Sequence, residues 1–260
     1  MCRDTIELDT RYFSIYTCGG RYTLNVVLSK SQKEGKPVPD LVFLIDVDNT
    51  LIDNDSIKSN LDKNLRVDLG DALADRFWEL YEQAREERGV VDIPLALRRL
   101  REQTSLSELD EQTYLHVHSL FDNYPFFEAL YPHTLETLHY LRTLGLTVIV
   151  SDGDRSFQPE KIYRSDLAET VEGRVLIYAH KQEHLQEILT LYPADHYAMI
   201  DDKPQILADS KLIMGKSLTT VFVQQGHYAA GPKPDNFAPD ISVLHFGDLR
   251  NYRAEQFFKS

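Results

Sequence analysis

The sequence lacks the features that would tie the chain to a membrane, a polyanion or a disulfide scaffold. No uninterrupted apolar stretch exceeds five residues, the length of Leu41–Ile45, against the ~20 that a helix needs to cross a bilayer. The N-terminus has no basic-then-apolar leader pattern. The two cysteines, Cys2 and Cys18, have neither metal-ligand spacing nor a cysteine-rich framework around them, so free thiols are expected. No run of five Lys or Arg occurs, and 41 acidic against 28 basic residues leave a net charge of −13, which opposes docking on nucleic acid or an anionic membrane. There is no internal repeat and no low-complexity tract. The expectation is a soluble, cytoplasmic protein whose partner is a small molecule, with an oligomeric state that composition leaves open.

A chain of 260 residues with 42% hydrophobic content can bury a full core and keep a modest accessory domain. Residues 1–40 suit an N-terminal extension. Strand-like runs flank Cys18-Gly19-Gly20, which fits a β-hairpin, and Ser29–Asp40, with Gly35, Pro37 and Pro39, suits a linker. From Leu41 onward, short apolar runs (Leu41–Ile45, Leu146–Val150, Tyr197–Ile200, Thr219–Val223) end abruptly in polar, acidic or glycine residues. Helical patterns over Pro132–Leu144 and Lys181–Leu191 separate the later runs. Together they predict an α/β fold with a doubly wound, mainly parallel, Rossmann-like sheet, whose ligands bind beyond the carboxyl ends of the strands.

Between the first two strands, roughly 56–127, no strand pattern occurs. Asp55 and Ser56 can cap a helix that presents Ile57, Leu61 and Leu65. A second helix carries Leu73, Phe77, Leu80, Tyr81 and Ala84, Pro94 opens a third, and Ser105 with Glu108 offers a capping box for a fourth. An α-helical cap is therefore expected over 56–127, with 41–55 and 128–260 forming the α/β core.

The strongest chemical signal is Asp46-Val47-Asp48-Asn49-Thr50 at the end of the first strand. Alternation along an extended backbone would put both carboxylates on one side, where they repel unless a cation, a shared proton or a basic neighbour intervenes. A divalent metal meets that need; an Asp-rich turn with Asn49 and Thr50 as turn formers is the plainer alternative. Ser151-Asp152-Gly153 ends the second strand, where a hydroxyl and closely spaced N–H groups can hold a phosphoryl oxygen, although Ser-Asp-Gly is also common turn chemistry. Lys181 can offset the carboxylates or be a surface lysine. Asp201-Asp202 ends another strand and can equally cap a helix near Pro204.

The order of these elements resembles the four motifs of the haloacid dehalogenase superfamily: Asp-x-Asp-x-Thr, a strand ending in Ser or Thr, a lysine, and a strand ending in paired acids. The resemblance covers roughly Leu41 to Gly247, and the helical insert after the first motif is similar to that superfamily's cap. It implies a Mg²⁺-dependent phosphatase of a small phosphorylated metabolite, with Asp46 as nucleophile and an aspartyl-phosphate intermediate. Asp48 is implied as general acid and base, and Thr50 and Ser151, with backbone N–H groups of the Ser151-Asp152-Gly153 segment, as the phosphoryl-binding groups. Lys181 is implied to stabilise the transferring group. The metal would take the Asp46 carboxylate, the Asp48 backbone carbonyl and Asp202, with Asp201 acting through water. The superfamily's dehalogenases lack the second aspartate, so Asp48 weighs against dehalogenation. A phosphomutase, or a binding or regulatory protein on the same fold, stays open as an alternative. Asn54, Asp55, Arg76, Tyr81, Arg85, Arg99, Gln158, Lys161 and His227 are weaker candidates, for most of which an exposed or structural place is the plainer expectation.

Overall fold

The computed structural model describes residues 5–8, 11–14, 16–18, 21–23, 40–153, 157–235 and 237–258. Among the described residues, four short strands precede the core. β1 (Thr5–Leu8) pairs with β2 (Arg11–Ser14), and β3 (Tyr16–Cys18) with β4 (Arg21–Thr23), both antiparallel. The linker expected over Ser29–Asp40 lies, apart from Asp40, outside the described residues, as does the Cys2 thiol.

The apolar run after it is β5 (Leu41–Ile45), buried along its whole length. It lies near the middle of a six-stranded sheet with β6 (Leu146–Asp152), β7 (Val175–Tyr178), β8 (His196–Asp201), β9 (Leu218–Val223) and β10 (Ile241–Val243). The order is β10-β9-β8-β5-β6-β7 and every pairing is parallel. Alternate residues feed two cores. Phe43, Ile45, Ile149, Ile177 and Ile200 enter one, and Val42, Leu44, Val148, Val150, Leu176 and Met199 the other. Such strands read as continuous apolar runs because both faces are covered. The chain winds outward from β5 through β6 to β7, then returns to β8 and winds the other way. β5 and β8 therefore flank the switch point, where open α/β sheets form a crevice beyond the strand ends.

β7 and β10 do not figure among the strand runs expected from the sequence. β10 has only three residues, too short for a periodicity of its own, whereas β7 coincides with an apolar run, Val175–Tyr178, as long as the expected strand run Tyr197–Ile200. β6 runs on through Ser151 and Asp152, two residues past the apolar run Leu146–Val150.

Five α-helices lie between β5 and β6, and the first four form the insert: α1 (Asn54–Leu69), α2 (Asp71–Arg88), α3 (Ile93–Gln103) and α4 (Glu111–Asp122). Ile57, Leu61 and Leu65 of α1 recur at helical spacing and pack with Phe77, Leu80, Leu97, Leu100, Val117 and Phe121. Two expected caps are displaced. Asp53, not Asp55 or Ser56, caps α1 by accepting the Ser56 N–H at 2.9 Å, which frees Asp55 for other partners. Ser105 and Glu108 bond to each other, but α4 begins only at Glu111, where Asp110 accepts the Thr113 N–H at 2.7 Å. The core helices are α5 (Thr134–Leu144), α6 (Phe157–Arg164), α7 (Leu167–Thr170), α8 (Leu185–Leu191), α9 (Pro204–Met214) and α10 (Gly226–Ala230). Lys181 lies in a 3₁₀ turn, Lys181–His184, that precedes α8. Among the described residues no helix is long and apolar enough to cross a membrane.

Candidate active site

The Asp46 N–H donates to the Ile200 carbonyl at 3.0 Å, which carries the β5–β8 pairing one residue past β5 and sets Asp46 beside Asp201 and Asp202. The chain then folds back tightly. The N–H groups of Thr50, Leu51 and Ile52 all point at the Val47 carbonyl, at 3.2, 2.8 and 3.1 Å. Asn49 takes a left-handed φ of 61°, which Asn tolerates better than most residues. Its side-chain oxygen accepts the N–H groups of Asn54 and Asp55 at 3.1 and 3.2 Å, fixing the motif loop to the start of α1.

Asp46, Asp201, Asp202 and Lys181 are all buried. The Lys181 ammonium contacts the Asp46 carboxylate and lies 2.6 Å from Asp201 Oδ2, while its backbone N–H donates to Asp152 Oδ1 at 2.8 Å. Lys203 faces Asp152 Oδ2 at 3.9 Å, and its backbone N–H donates to Asp201 Oδ1 at 2.8 Å. Burial works against the charge on both lysines, yet the surrounding carboxylates outweigh it and hold them above the ordinary lysine range. Asp202 differs. Both its oxygens are buried without a hydrogen-bond partner, and burial, reinforced by Asp201 and Asp46, pushes its carboxyl up to about 9. Burial also raises Asp46, with Lys181 and Lys203 opposing.

Asp48 belongs to a separate pair. Its carboxylate accepts from Lys161 Nζ of α6 at 2.7 Å, and the same ammonium reaches Asn54 Oδ1 at 3.0 Å. The two motif aspartates therefore do not share one counter-charge; each has its own lysine. Thr50 Oγ1 stands 3.4 Å from Asp46 Oδ2, and the Ser151 hydroxyl accepts from Gln158 Nε2 at 2.9 Å. Two expectations for the second motif change. The Gly153 N–H is committed to the Tyr178 carbonyl at 2.9 Å, because β6 keeps pairing with β7, so it is not available to a phosphoryl oxygen. The Asp152 side chain holds Lys181 and would repel an anion. Gly153 is needed for another reason, since a Cβ there would lie 2.6 Å from Gln158 Cγ.

The family profile of the haloacid dehalogenase-like hydrolases matches residues 41–205. The chain belongs to this family. A solved haloacid dehalogenase-like hydrolase from Burkholderia xenovorans LB400 is 44% identical over 85% of this chain and 99% of its own, with a TM-score of 0.75. A family hydrolase from Xanthomonas campestris (15% identity, 85% and 92% coverage, TM-score 0.56) and the L-2-haloacid dehalogenase of Xanthobacter autotrophicus (15%, 82% and 97%, 0.50) share the fold. Among curated proteins none matches significantly.

Haloacid dehalogenase-like hydrolases typically use a divalent metal, and the donors here fit one. Asp46, Asp201 and Asp202 each place a carboxylate oxygen within 4.8 Å of the others. Four buried or part-buried carboxylates, Asp46, Asp152, Asp201 and Asp202, face the two lysines Lys181 and Lys203, an excess of two negative charges when all are ionised. Oxygen-only donors with that excess suit a hard dication.

In this hydrolase Gln158 and Lys161 reach the site through the α6 helix. Arg76 and Arg99 make exposed pairs with Glu79 and Glu87, Arg85 pairs with Glu82, Tyr81 is buried, and His227 binds Asp55 at 2.6 Å. Sequence reasoning passed over Lys203 and gave Asn49 only a turn-forming part. The signal for Lys203 was its place directly after Asp201-Asp202. A surface groove of about 570 Å³, lined in part by Asp53, Asn60, Tyr124, Glu128 and Tyr131, touches none of the four clustered carboxylates and neither Lys181 nor Lys203.

Proposed function

We propose that the protein is a Mg²⁺-dependent phosphatase that hydrolyses a small phosphorylated metabolite, with the helical insert α1–α4 as a cap over the site. The observation that carries this reading is Asp202. A buried carboxylate with two unpartnered oxygens costs several kcal/mol unless a cation or proton meets it, and it stands beside Asp46, the nucleophile. Asp48 stands apart on Lys161, which supports a role in proton transfer separate from the carboxylates that would hold the metal.

In this reading Asp46 attacks phosphorus, one P–O bond forms and the bond to the departing alcohol breaks. Asp48, taking up a proton before the ester reacts, gives it to the alcohol oxygen, which leaves the carboxylate that Lys161 holds; it then takes one from the water that hydrolyses the aspartyl-phosphate. Lys181 holds the charge of Asp46 and of the transferring group, and Thr50 and Ser151 offer hydroxyls to phosphoryl oxygens. When bound by the Asp46 and Asp202 carboxylates and the Asp48 backbone carbonyl, Mg²⁺ supplies neutralisation of the phosphoryl oxygens. The dehalogenase neighbour shares the fold at 15% identity, which fixes no chemistry, and a second aspartate at position 48 is what the dehalogenase pattern lacks.

The purified protein should release phosphate from p-nitrophenyl phosphate only with Mg²⁺, and Asp46→Asn should abolish it. Full activity in that variant would overturn the nucleophile assignment. Halide release from a 2-haloacid, without any phosphatase activity, would overturn the reaction class.

A further inference from the structure

Lys58 of α1 is a half-buried cation with no carboxylate ion-paired to it among the described residues. Its ammonium lies 4.9 Å from the centre of the Tyr81 ring, a contact that stabilises a cation without neutralising it. Lys58 stands one helical turn beyond Asn54, on the same face of α1. Asn54 in turn touches Lys161, and Lys161 touches Asp48.

The charges at this outer edge of the site do not balance. Lys161 is matched by Asp48, and Arg85 by Glu82 at 3.0 Å. Lys58 is left over. Burial lowers its affinity for a proton, Glu82 and Asp48 counter that, and Arg85 and Lys161 add to it. All four groups therefore lie within electrostatic reach.

The direction of the chemistry says what Lys58 would meet. Asp48 protonates the leaving oxygen, so the alcohol half of the substrate lies on the Asp48 side, toward α1 and α2. We propose that Lys58 is a specificity determinant that receives a second anionic group, a carboxylate or another phosphate, on the alcohol half of a phosphomonoester. This rests on the phosphatase reading and adds the substrate class.

The test separates the two. In the Asp46→Asn protein with Mg²⁺, dissociation constants are measured by calorimetry for phosphoglycolate, propane-1,3-diol bisphosphate and propyl phosphate. At least one of the doubly anionic esters should bind about tenfold or more tightly than propyl phosphate, the effect of one charge-assisted contact. Which of the two is preferred distinguishes carboxylate from phosphate. Adding Lys58→Met, which keeps an apolar stem over Tyr81, should bring the ratio close to one, and Lys58→Arg should restore most of it. Equal binding of all three esters, or a preference that survives Lys58→Met, would overturn the proposal. A Lys58-dependent preference in a wild-type protein that releases no phosphate would support this subsite while overturning the hydrolase chemistry.

Discussion

Lys181 Nζ lies 2.6 Å from Asp201 Oδ2, and this contact separates the roles of two adjacent acids. Asp201 spends its other oxygen on the Lys203 N–H, whereas Asp202 has no partner for either oxygen. Asp202→Asn should therefore remove most metal affinity and most activity. Asp201→Asn, which disturbs the groups around the ligands, should weaken metal binding by about 10- to 100-fold. Titrating both variants with Mg²⁺ by calorimetry checks the order. A greater loss in Asp201→Asn would reverse it.

The raised Asp202 carboxyl makes metal binding pH-dependent. Without metal the folded protein keeps a proton on this group up to about pH 9, while the unfolded chain loses it near 3.8. The folded form thus binds more protons across that interval, and the group's contribution to stability, full below the unfolded value, declines as pH rises toward 9. A metal ion displaces the proton and cancels the penalty. The rise in melting temperature on adding Mg²⁺ should therefore grow between about pH 5 and 9, with proton release on binding at neutral pH. A rise that shrinks with pH would contradict this account.

Asp48 can be tested through its separation from Asp46. Asp48→Asn keeps an oxygen acceptor for Lys161, so the α6 contact and the fold should survive. Steady-state turnover of an alkyl phosphate should fall by about 10²- to 10⁴-fold. p-Nitrophenolate leaves without protonation, so with that ester the first step proceeds and the second stalls. Rapid mixing should show a burst of nitrophenolate close to one per enzyme. Unchanged steady-state turnover of p-nitrophenyl phosphate would place Asp48 in the first step alone, and loss of activity without a burst would mean that the first step needs Asp48 for more than protonating the leaving group.

The parts of the fold written within a few neighbouring residues were legible: four buried strands ending in polar groups, and the order of Asp46, Ser151, Lys181 and Asp201-Asp202. The pairing of side chains was not. Lys161 and Asp48 are 113 residues apart, and no local pattern says which lysine meets which carboxylate. The Gly153 N–H looked available because the strand expectations left out β7, whose last carbonyl, that of Tyr178, claims it. Asp152 looked like part of an anion cradle because its neighbours suit one, yet its side chain braces Lys181.

Gly226, at the start of α10, is a position where backbone and packing both exclude a side chain. Its φ is 67°, and a Cβ would come within 2.4 Å of Asn49 Cβ, far inside contact distance. Asn49 cannot give way freely, because its side chain holds the N–H groups of Asn54 and Asp55, and Asp55 in turn accepts the His227 N–H at 2.8 Å. Gly226→Ala should therefore cost about 2–4 kcal/mol, from the left-handed conformation and the overlap together. The strain reaches the Asp46 loop and the first turn of α1 at once, so kcat should fall even well below the new melting temperature. Thermal unfolding and kinetics on the same sample check both; a destabilised variant with wild-type kcat would mean that the Asn49 bridge does not position the site.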